Sequence, residues 1–141
     1  MDGDVMKNKK GFTLIEILLV VAIIGTIAAM VLPRLSGRSE QAKIAIAKVD
    51  IDSNIASALK LYELDNGLFP TTSQSLDALL RKPSTNPVPQ NWNGPYLEKE
   101  PIDPWGRKYQ YQYPSVHGKS YDLYSLGLKE NDEKSRITNW S

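Results

Sequence analysis

The chain has 141 residues and a nearly even charge balance, with 17 lysines and arginines against 16 aspartates and glutamates. The net charge of +1 gives no positive field of the kind that nucleic-acid binding uses, so nucleic acid is not an expected partner. The absence of cysteine excludes a disulfide framework and thiolate metal sites.

An apolar run begins close to the N-terminus and covers residues 12–32, a stretch of 21 residues in which Glu16 is the only charge. As an α-helix this run would span about 32 Å, close to the hydrocarbon thickness of a bilayer. Its large apolar side chains occur all around the helical wheel, and a soluble domain of this size could hardly cover every face. We therefore predict a transmembrane helix over residues 12–33 rather than a buried core helix.

Charges flank the run on both sides. A lysine cluster at residues 7–10 precedes it, and Arg34 and Arg38 follow it. The positive-inside rule predicts a single span with a short cytoplasmic N-terminus and a translocated globular domain over residues 34–141. A secretory signal peptide is the alternative, but the run is long for one, and no small-residue cleavage site follows it before Pro33.

Glu16 needs an explanation, because a carboxylate at the bilayer centre costs about 2.5–3.5 kcal/mol and less near an interface. One interpretation places it among the lipid headgroups, where it reaches water. The neighbouring sequence favours a functional role, since residues 10–16 read KGFTLIE, with a lysine and a glycine before Phe12. This pattern resembles the class III signal of type IV pilins and pseudopilins.

The resemblance implies that a prepilin peptidase cuts between Gly11 and Phe12, removes residues 1–11 as a basic leader, and methylates the new Phe12 amine. It also implies that the apolar helix stays on the mature chain, anchored in the inner membrane with the C-terminal domain in the periplasm. The amine of Phe12 and the carboxylate of Glu16 are each costly in lipid when alone. Pairing Glu16 of one copy with Phe12 of the next would partly neutralise both and set the register of a homopolymer.

Gly25 and Pro33 complete the predicted assembly segment. Pro33 lacks an N–H and clashes with the preceding turn, while Gly25 lowers the helix propensity. The resemblance implies that the helix loosens between these two residues on assembly, whereas a simple kink at the membrane exit is the alternative. The sequence leaves both open. The predicted assembly residues are Phe12, Glu16, Gly25 and Pro33.

The rest of the chain predicts an α+β fold. Apolar residues recur at three- and four-residue steps up to about residue 66, so we expect the helix to continue to a stop at Asn66 and Gly67. A short helix capped by Thr71 or Thr72 should follow, and then an irregular loop rich in proline and asparagine over residues 82–95.

Strands are predicted in the C-terminal part of the chain. Residues 109–113 and 121–126 alternate in character on either side of a hairpin connection at 114–120, and a third strand is expected near 137–140. A turn at residues 103–106, DPWG, precedes them. The expected result is a small antiparallel sheet packed on the half of the long helix that lies outside the membrane.

Four blocks, at residues 64–72, 91–97, 103–106 and 121–127, narrow the resemblance to the major pseudopilin family of type II secretion systems. It implies a type IV pilin-like fold and a subunit that polymerises into a periplasmic pseudopilus, driving export of folded proteins across the outer membrane. The implied partners are further copies of the chain, the prepilin peptidase, the inner-membrane assembly platform and the minor pseudopilins.

Two other functions are the alternatives. A subunit of another type IV pilus-like filament, for adhesion, motility or DNA uptake, would share the N-terminal signal but not the four blocks. A membrane-tethered enzyme would need a cluster of titratable residues, and the only histidine, His117, lies in the predicted hairpin connection. We therefore expect a structural protein and not an enzyme.

The resemblance also implies a calcium ion, bound by two aspartates and several carbonyl oxygens in the loop that follows strand residues 121–126. As we align the chain, these aspartates fall at Lys129 and Arg136, whose positive charges argue against the usual site. The donors left for a displaced calcium site are Leu126, Glu130, Asp132 and Glu133. Our hypothesis is that Lys129 or Arg136 pairs with these acids and replaces the ion.

Overall fold

The computed structural model describes residues 11–140, so the first ten residues of the predicted leader lie outside the described part of the chain. It consists of two units, one ending at Ser39 and the other beginning at Glu40. The boundary at residue 34 between membrane helix and globular domain stays a prediction.

One long helix forms the N-terminal half, as predicted. Helix α1 covers Leu14–Val49, a single π-helical turn covers Asp50–Asn54, and helix α2 covers Ile55–Asn66. Gly67 ends α2 in the left-handed conformation, with φ 82°, and its N–H donates to the carbonyl of Glu63. The predicted helix stop is therefore confirmed.

The π turn keeps one face of this helix on the core. Buried residues recur at four-residue steps, namely Ala47, Ile51, Ile55 and Leu59. In a regular α-helix, each such step overshoots a full turn by about 40°, so the row would drift by about 120° over three steps. Because the π turn accommodates one additional residue, it turns the row back by about 100° and keeps the four side chains together.

The segment after α2 differs from the prediction. A 3₁₀ turn at Leu76–Leu79 stands where a short helix was expected, and Ser75 caps it by accepting a hydrogen bond from the backbone N–H two residues on. The predicted caps are used elsewhere. Thr72 bonds through its hydroxyl to the backbone N–H and carbonyl of Tyr113, at 3.0 and 3.1 Å, and Thr71 bonds within its own turn.

Residues 82–95 form an irregular loop, as predicted. The buried Gln74 holds it, because its Nε2 donates to the carbonyls of Thr85 and Pro87 at 2.9 and 3.0 Å. The ring N–H of Trp92 donates to a carbonyl of the 3₁₀ turn at 2.8 Å. These side-chain bonds supply partners that a loop without ladder hydrogen bonds would otherwise lack.

The sheet has three short antiparallel strands in sequential order, β1 at Gln110–Gln112, β2 at Asp122–Ser125 and β3 at Ile137–Thr138. In the register, Tyr111 faces Leu123 across the first pair of strands. All three predicted strands are confirmed, and each is shorter than predicted.

The core lies in the second unit and joins its helix to its sheet. Ile55 and Leu59 from the helix, Leu79 from the 3₁₀ turn and Leu123 from β2 are all buried in a single cluster. Each fully buried side chain of this size contributes about 1.5–3 kcal/mol relative to leaving it exposed. This packing confirms the predicted α+β fold of a long helix against a small sheet.

Three carboxylates on the helix also anchor it to the loops, each by accepting a hydrogen bond from an aromatic side chain. The pairs are Trp105 with Glu40 at 3.0 Å, Tyr109 with Asp50 at 2.7 Å, and Tyr96 with Asp65 at 2.6 Å. Burial first, and then the bond to Asp50, raises the pKa of Tyr109 above its usual value, so this hydroxyl remains a donor at neutral pH.

Candidate assembly site

The predicted assembly residues nearest the N-terminus lie at the start of α1. Thr13 caps the helix, since its Oγ1 accepts a hydrogen bond from the N–H of Glu16 at 3.2 Å. Its carbonyl accepts the N–H of Ile17 at 3.1 Å. Thr13 and Glu16 have the spacing of a capping box, in which the glutamate at the third helical position supports the cap. The sequence analysis missed this cap, although its T-x-x-E signal is present.

Phe12 and Glu16 are both exposed in the single chain, Phe12 to 79%. Glu16 lies in the first turn, where the helix dipole favours a negative charge. The proposed partners belong to different copies, so cleavage after Gly11, methylation of Phe12 and pairing with Glu16 stay predictions.

The surface of α1 in the first unit is apolar on every side. Its large side chains are exposed without exception, from Val31 at 44% to Ile15 at 77%. Within residues 11–140 this is the one helix long and apolar enough to cross a membrane, with a mean hydropathy of 2.7 over 18 residues, none of them buried. Such a surface is stable in lipid or against other apolar helices, but not in water.

Gly25 and Pro33 lie within this apolar helix. A Cβ at Gly25 would meet no atom within 4 Å, so close packing inside the chain does not require glycine there. Helix α1 continues through Pro33. Loosening of the helix between the two on assembly stays a prediction.

The helix of the second unit carries a further apolar surface, on the side away from the buried Ala47. We call it the apolar ridge, and it consists of Ala42, Ala45, Ile46 and Val49, which lie within about 100° of one another around the helix. All four are exposed, Ile46 and Val49 to 54% each. The amphipathic pattern predicted the buried face of this helix but not this second apolar face.

In the loop after β2, the three acids named for a displaced calcium site do not converge. Within residues 11–140, no group of three or more His, Cys, Asp or Glu residues converges as metal ligands do. Glu130 and Glu133 are exposed, and Asp132 caps the following 3₁₀ turn, Glu133–Ser135, by accepting the N–H of Lys134 at 3.0 Å. Calcium requires about six to eight oxygen ligands with carboxylates among them, so these residues do not fit the ion.

One cation of this loop pairs with one of the named acids, as the hypothesis states. Nη1 of Arg136 lies 3.9 Å from a carboxylate oxygen of Glu133, whose side chain is 85% exposed, and such a pair contributes little. Lys129 makes no ion pair with any residue from 11 to 140. Arg136 instead lies over the ring of Tyr124, 5.4 Å from its centre. That such a pair replaces the ion stays a prediction.

His117 lies in the hairpin connection, as predicted, and forms a cluster with Ser115 and Asp122 that includes the residue types of a catalytic triad. The order of contacts is different, because Ser115 Oγ and His117 Nδ1 both bond to Asp122, at 2.5 and 2.8 Å. Ser115 Oγ also accepts the N–H groups of His117 and Lys119. The Ser115 hydroxyl therefore donates to Asp122 and not to the imidazole, and the cluster shapes the turn.

These features define a class of protein, a pilin-like subunit with an exposed apolar N-terminal helix and a small globular unit. A family model described as "Type II secretion system (T2SS), protein G" matches residues 34–140, and the prokaryotic N-terminal methylation motif matches residues 6–32. The chain belongs to the type II secretion system protein G family.

Relatives and a solved structure agree with this assignment. The chain is 50% identical over 139 residues to the type II secretion system core protein G of Pseudomonas aeruginosa, covering 95% of this chain and 96% of the relative. It is 45% identical over 141 residues to that of Vibrio cholerae, covering 96% and 94%. The crystal structure of the major pseudopilin from enterohaemorrhagic Escherichia coli is similar with a TM-score of 0.67 and 36% identity, covering 75% of this chain and 89% of that one.

Proposed function

We propose that this chain is the structural subunit that polymerises into the periplasmic pseudopilus of a type II secretion system and so drives export of folded proteins across the outer membrane. The observation that carries the proposal is the apolar surface of α1, which is exposed on every side in the single chain. Lipid covers such a surface before assembly, and the same helix of other copies can cover it afterwards.

The proposed location follows from the same helix. The leader would lie in the cytoplasm, α1 would cross the inner membrane once, and the globular unit would lie in the periplasm. Maturation would require a prepilin peptidase, while assembly would require the inner-membrane platform and minor pseudopilins. The family match over residues 34–140 covers the globular unit, and this favours the pseudopilus over another pilus-like filament.

Glu16 provides the test of polymerisation. Glu16→Ala removes both the charge and the capping-box side chain, whereas Glu16→Gln keeps a side chain that can complete the capping box. If pairing with the Phe12 amine of the next copy sets the register, both variants should reduce the yield of sheared filaments at least about tenfold, the factor that corresponds to about 1.4 kcal/mol. Filament yield would be measured in cells that carry the complete secretion system.

Two controls make the result interpretable. Glu98→Gln changes an exposed acid of the globular unit and should leave the yield unchanged. Intact mass should show every variant without residues 1–11 and with one added methyl group. A normal yield from Glu16→Gln would assign Glu16 to helix capping, and a mature wild-type chain that starts at Met1 would contradict the proposed function.

A further inference from the structure

The loop over residues 126–136, between β2 and β3, is held by one hydroxyl at its centre. Ser135 Oγ lies 2.7 Å from the carbonyl oxygens of Leu126 and Lys129 and 2.9 Å from that of Asp132. Gly127 brings the two ends of the loop together, since its φ is 74° and a Cβ there would collide with the Ser135 carbonyl. The loop therefore converges several oxygens on one point, as a cation site does.

A count of the hydrogen-bond donors shows that these carbonyl oxygens do not need a cation. A hydroxyl donates one hydrogen bond, so Ser135 can serve only one of the three carbonyls. The carbonyl of Lys129 already accepts the N–H of Asp132 at 3.1 Å, and that of Asp132 accepts the N–H of Ser135 at 3.0 Å. The carbonyl of Leu126 has only the Ser135 hydroxyl as a donor among residues 11–140. The Ser135 hydroxyl therefore donates its hydrogen bond to the carbonyl of Leu126.

A second donor closes the start of the loop. The guanidinium of Arg107 donates through Nη2 to the carbonyl of Gly127. Gly127 also donates its N–H to Ser125 Oγ at 3.1 Å, and the Ser125 hydroxyl donates to the buried carboxylate of Asp103 at 2.7 Å. Asp103 in turn accepts the backbone N–H of Arg107 at 2.8 Å. Asp103, Ser125, Gly127 and Arg107 thus form a closed ring of hydrogen bonds.

We propose that the loop over residues 126–136 closes without a metal ion, because the Ser135 hydroxyl and the Arg107 guanidinium bind the carbonyl oxygens of Leu126 and Gly127. The guanidinium brings a positive charge to this part of the loop, where a calcium ion would meet repulsion. Within residues 11–140, the carboxylates that would offset the charge of calcium do not converge, as described above. This differs from the calcium-bound loop that resemblance to the family implies.

The test uses the full mature chain in detergent. Its thermal unfolding is monitored by the fluorescence of its tryptophans, all of which lie in the second unit. The Tm of the wild type should agree within about 1 °C in calcium chloride, in magnesium chloride and in EGTA, since an ion at about 100 times its Kd would raise Tm by several degrees. Calorimetric titration with calcium should show no binding. A calcium-specific rise in Tm, or saturable binding, would overturn the proposal without bearing on polymerisation.

Variants locate the two donors. Ser135→Ala should lower Tm by the same amount in calcium and in EGTA. Ser120→Ala, at an exposed serine, should leave Tm unchanged in both. Arg107→Gln should have a smaller effect than Ser135→Ala, because the buried Nε of Arg107 has no partner among residues 11–140 and the wild type already carries that cost. Arg81→Gln is its exposed control. Wild-type Tm in both Ser135→Ala and Arg107→Gln would reject the assignment.

Discussion

Among single residues, Asp122 is the carboxylate whose surroundings change its ionisation most clearly. It is 1% exposed, and burial alone would raise its pKa. Donors from Ser115, the backbone of Val116 and His117 outweigh burial, so the pKa lies below its usual value. The charged carboxylate therefore stabilises the hairpin connection between β1 and β2.

This shift predicts the acid behaviour of the fold. Because the folded pKa of Asp122 is depressed, its contribution is fully present above the unfolded value of about 3.9 and is lost as the pH falls through the lower folded value. Asp122→Asn should cost about 1–3 kcal/mol near neutral pH and should flatten the fall in Tm below about pH 4. Tm would be measured from pH 7 to pH 2. Asp77→Asn, at an exposed acid, should retain the wild-type profile; a parallel profile for Asp122→Asn would contradict this account.

The partners of such residues could not be predicted from local sequence. The position of His117 beside Gly118, between two predicted strands, predicts a turn, and that prediction needs only neighbouring residues. Its stacking on Trp140, with ring centres 3.8 Å apart, depends on how β3 returns beside β2. The same is true of Ser135, whose role as the centre of a loop depends on a close approach at Gly127.

At the scale of elements, the long helix and the three strands could be predicted because three- and four-residue steps, alternation and glycine stops are local signals. The π turn at Asp50–Asn54 was missed. Its signal was present, since the two consecutive four-residue steps from Ala47 to Ile55 have no three-residue step between them to correct their drift. The 3₁₀ turn after Ser75 was misjudged for another reason, because the hydroxyl of Thr72 bonds to Tyr113 in a distant part of the chain.

The π turn predicts opposite results for a deletion and an insertion at one position. Deleting the exposed Ser53 removes the additional residue, so α1 and α2 can continue as a regular α-helix with Ile55 and Leu59 still on the core. Inserting an alanine after Ser53 rotates these two side chains by about a further 100° and exposes them. We expect the deletion to retain a cooperative tryptophan-fluorescence transition and the insertion to abolish it. Equal damage from both changes would show that the π turn does not set the register.

At the scale of the whole molecule, each unit leaves apolar surface that the single chain does not cover. In the first unit this surface is α1 on every side, and in the second the apolar ridge is one such surface. Neither surface contributes to the core, so folding alone does not account for its composition. Polymerisation would account for both, since copies of one chain in a helical filament all present the same surfaces to their neighbours.

The ridge therefore provides a test of assembly that is separate from Glu16. Ile46→Gln replaces a half-exposed apolar side chain, and if a neighbouring copy buries it, the loss is about 1 kcal/mol at each contact. Filament yield should fall several-fold while the Tm of the isolated chain stays at the wild-type value. Val116→Gln is the matched control, because Val116 is 67% exposed in the hairpin connection and lies outside the ridge. A lower Tm for Ile46→Gln would show that the ridge packs within the chain, and equal yields for the two variants would show that no copy covers it.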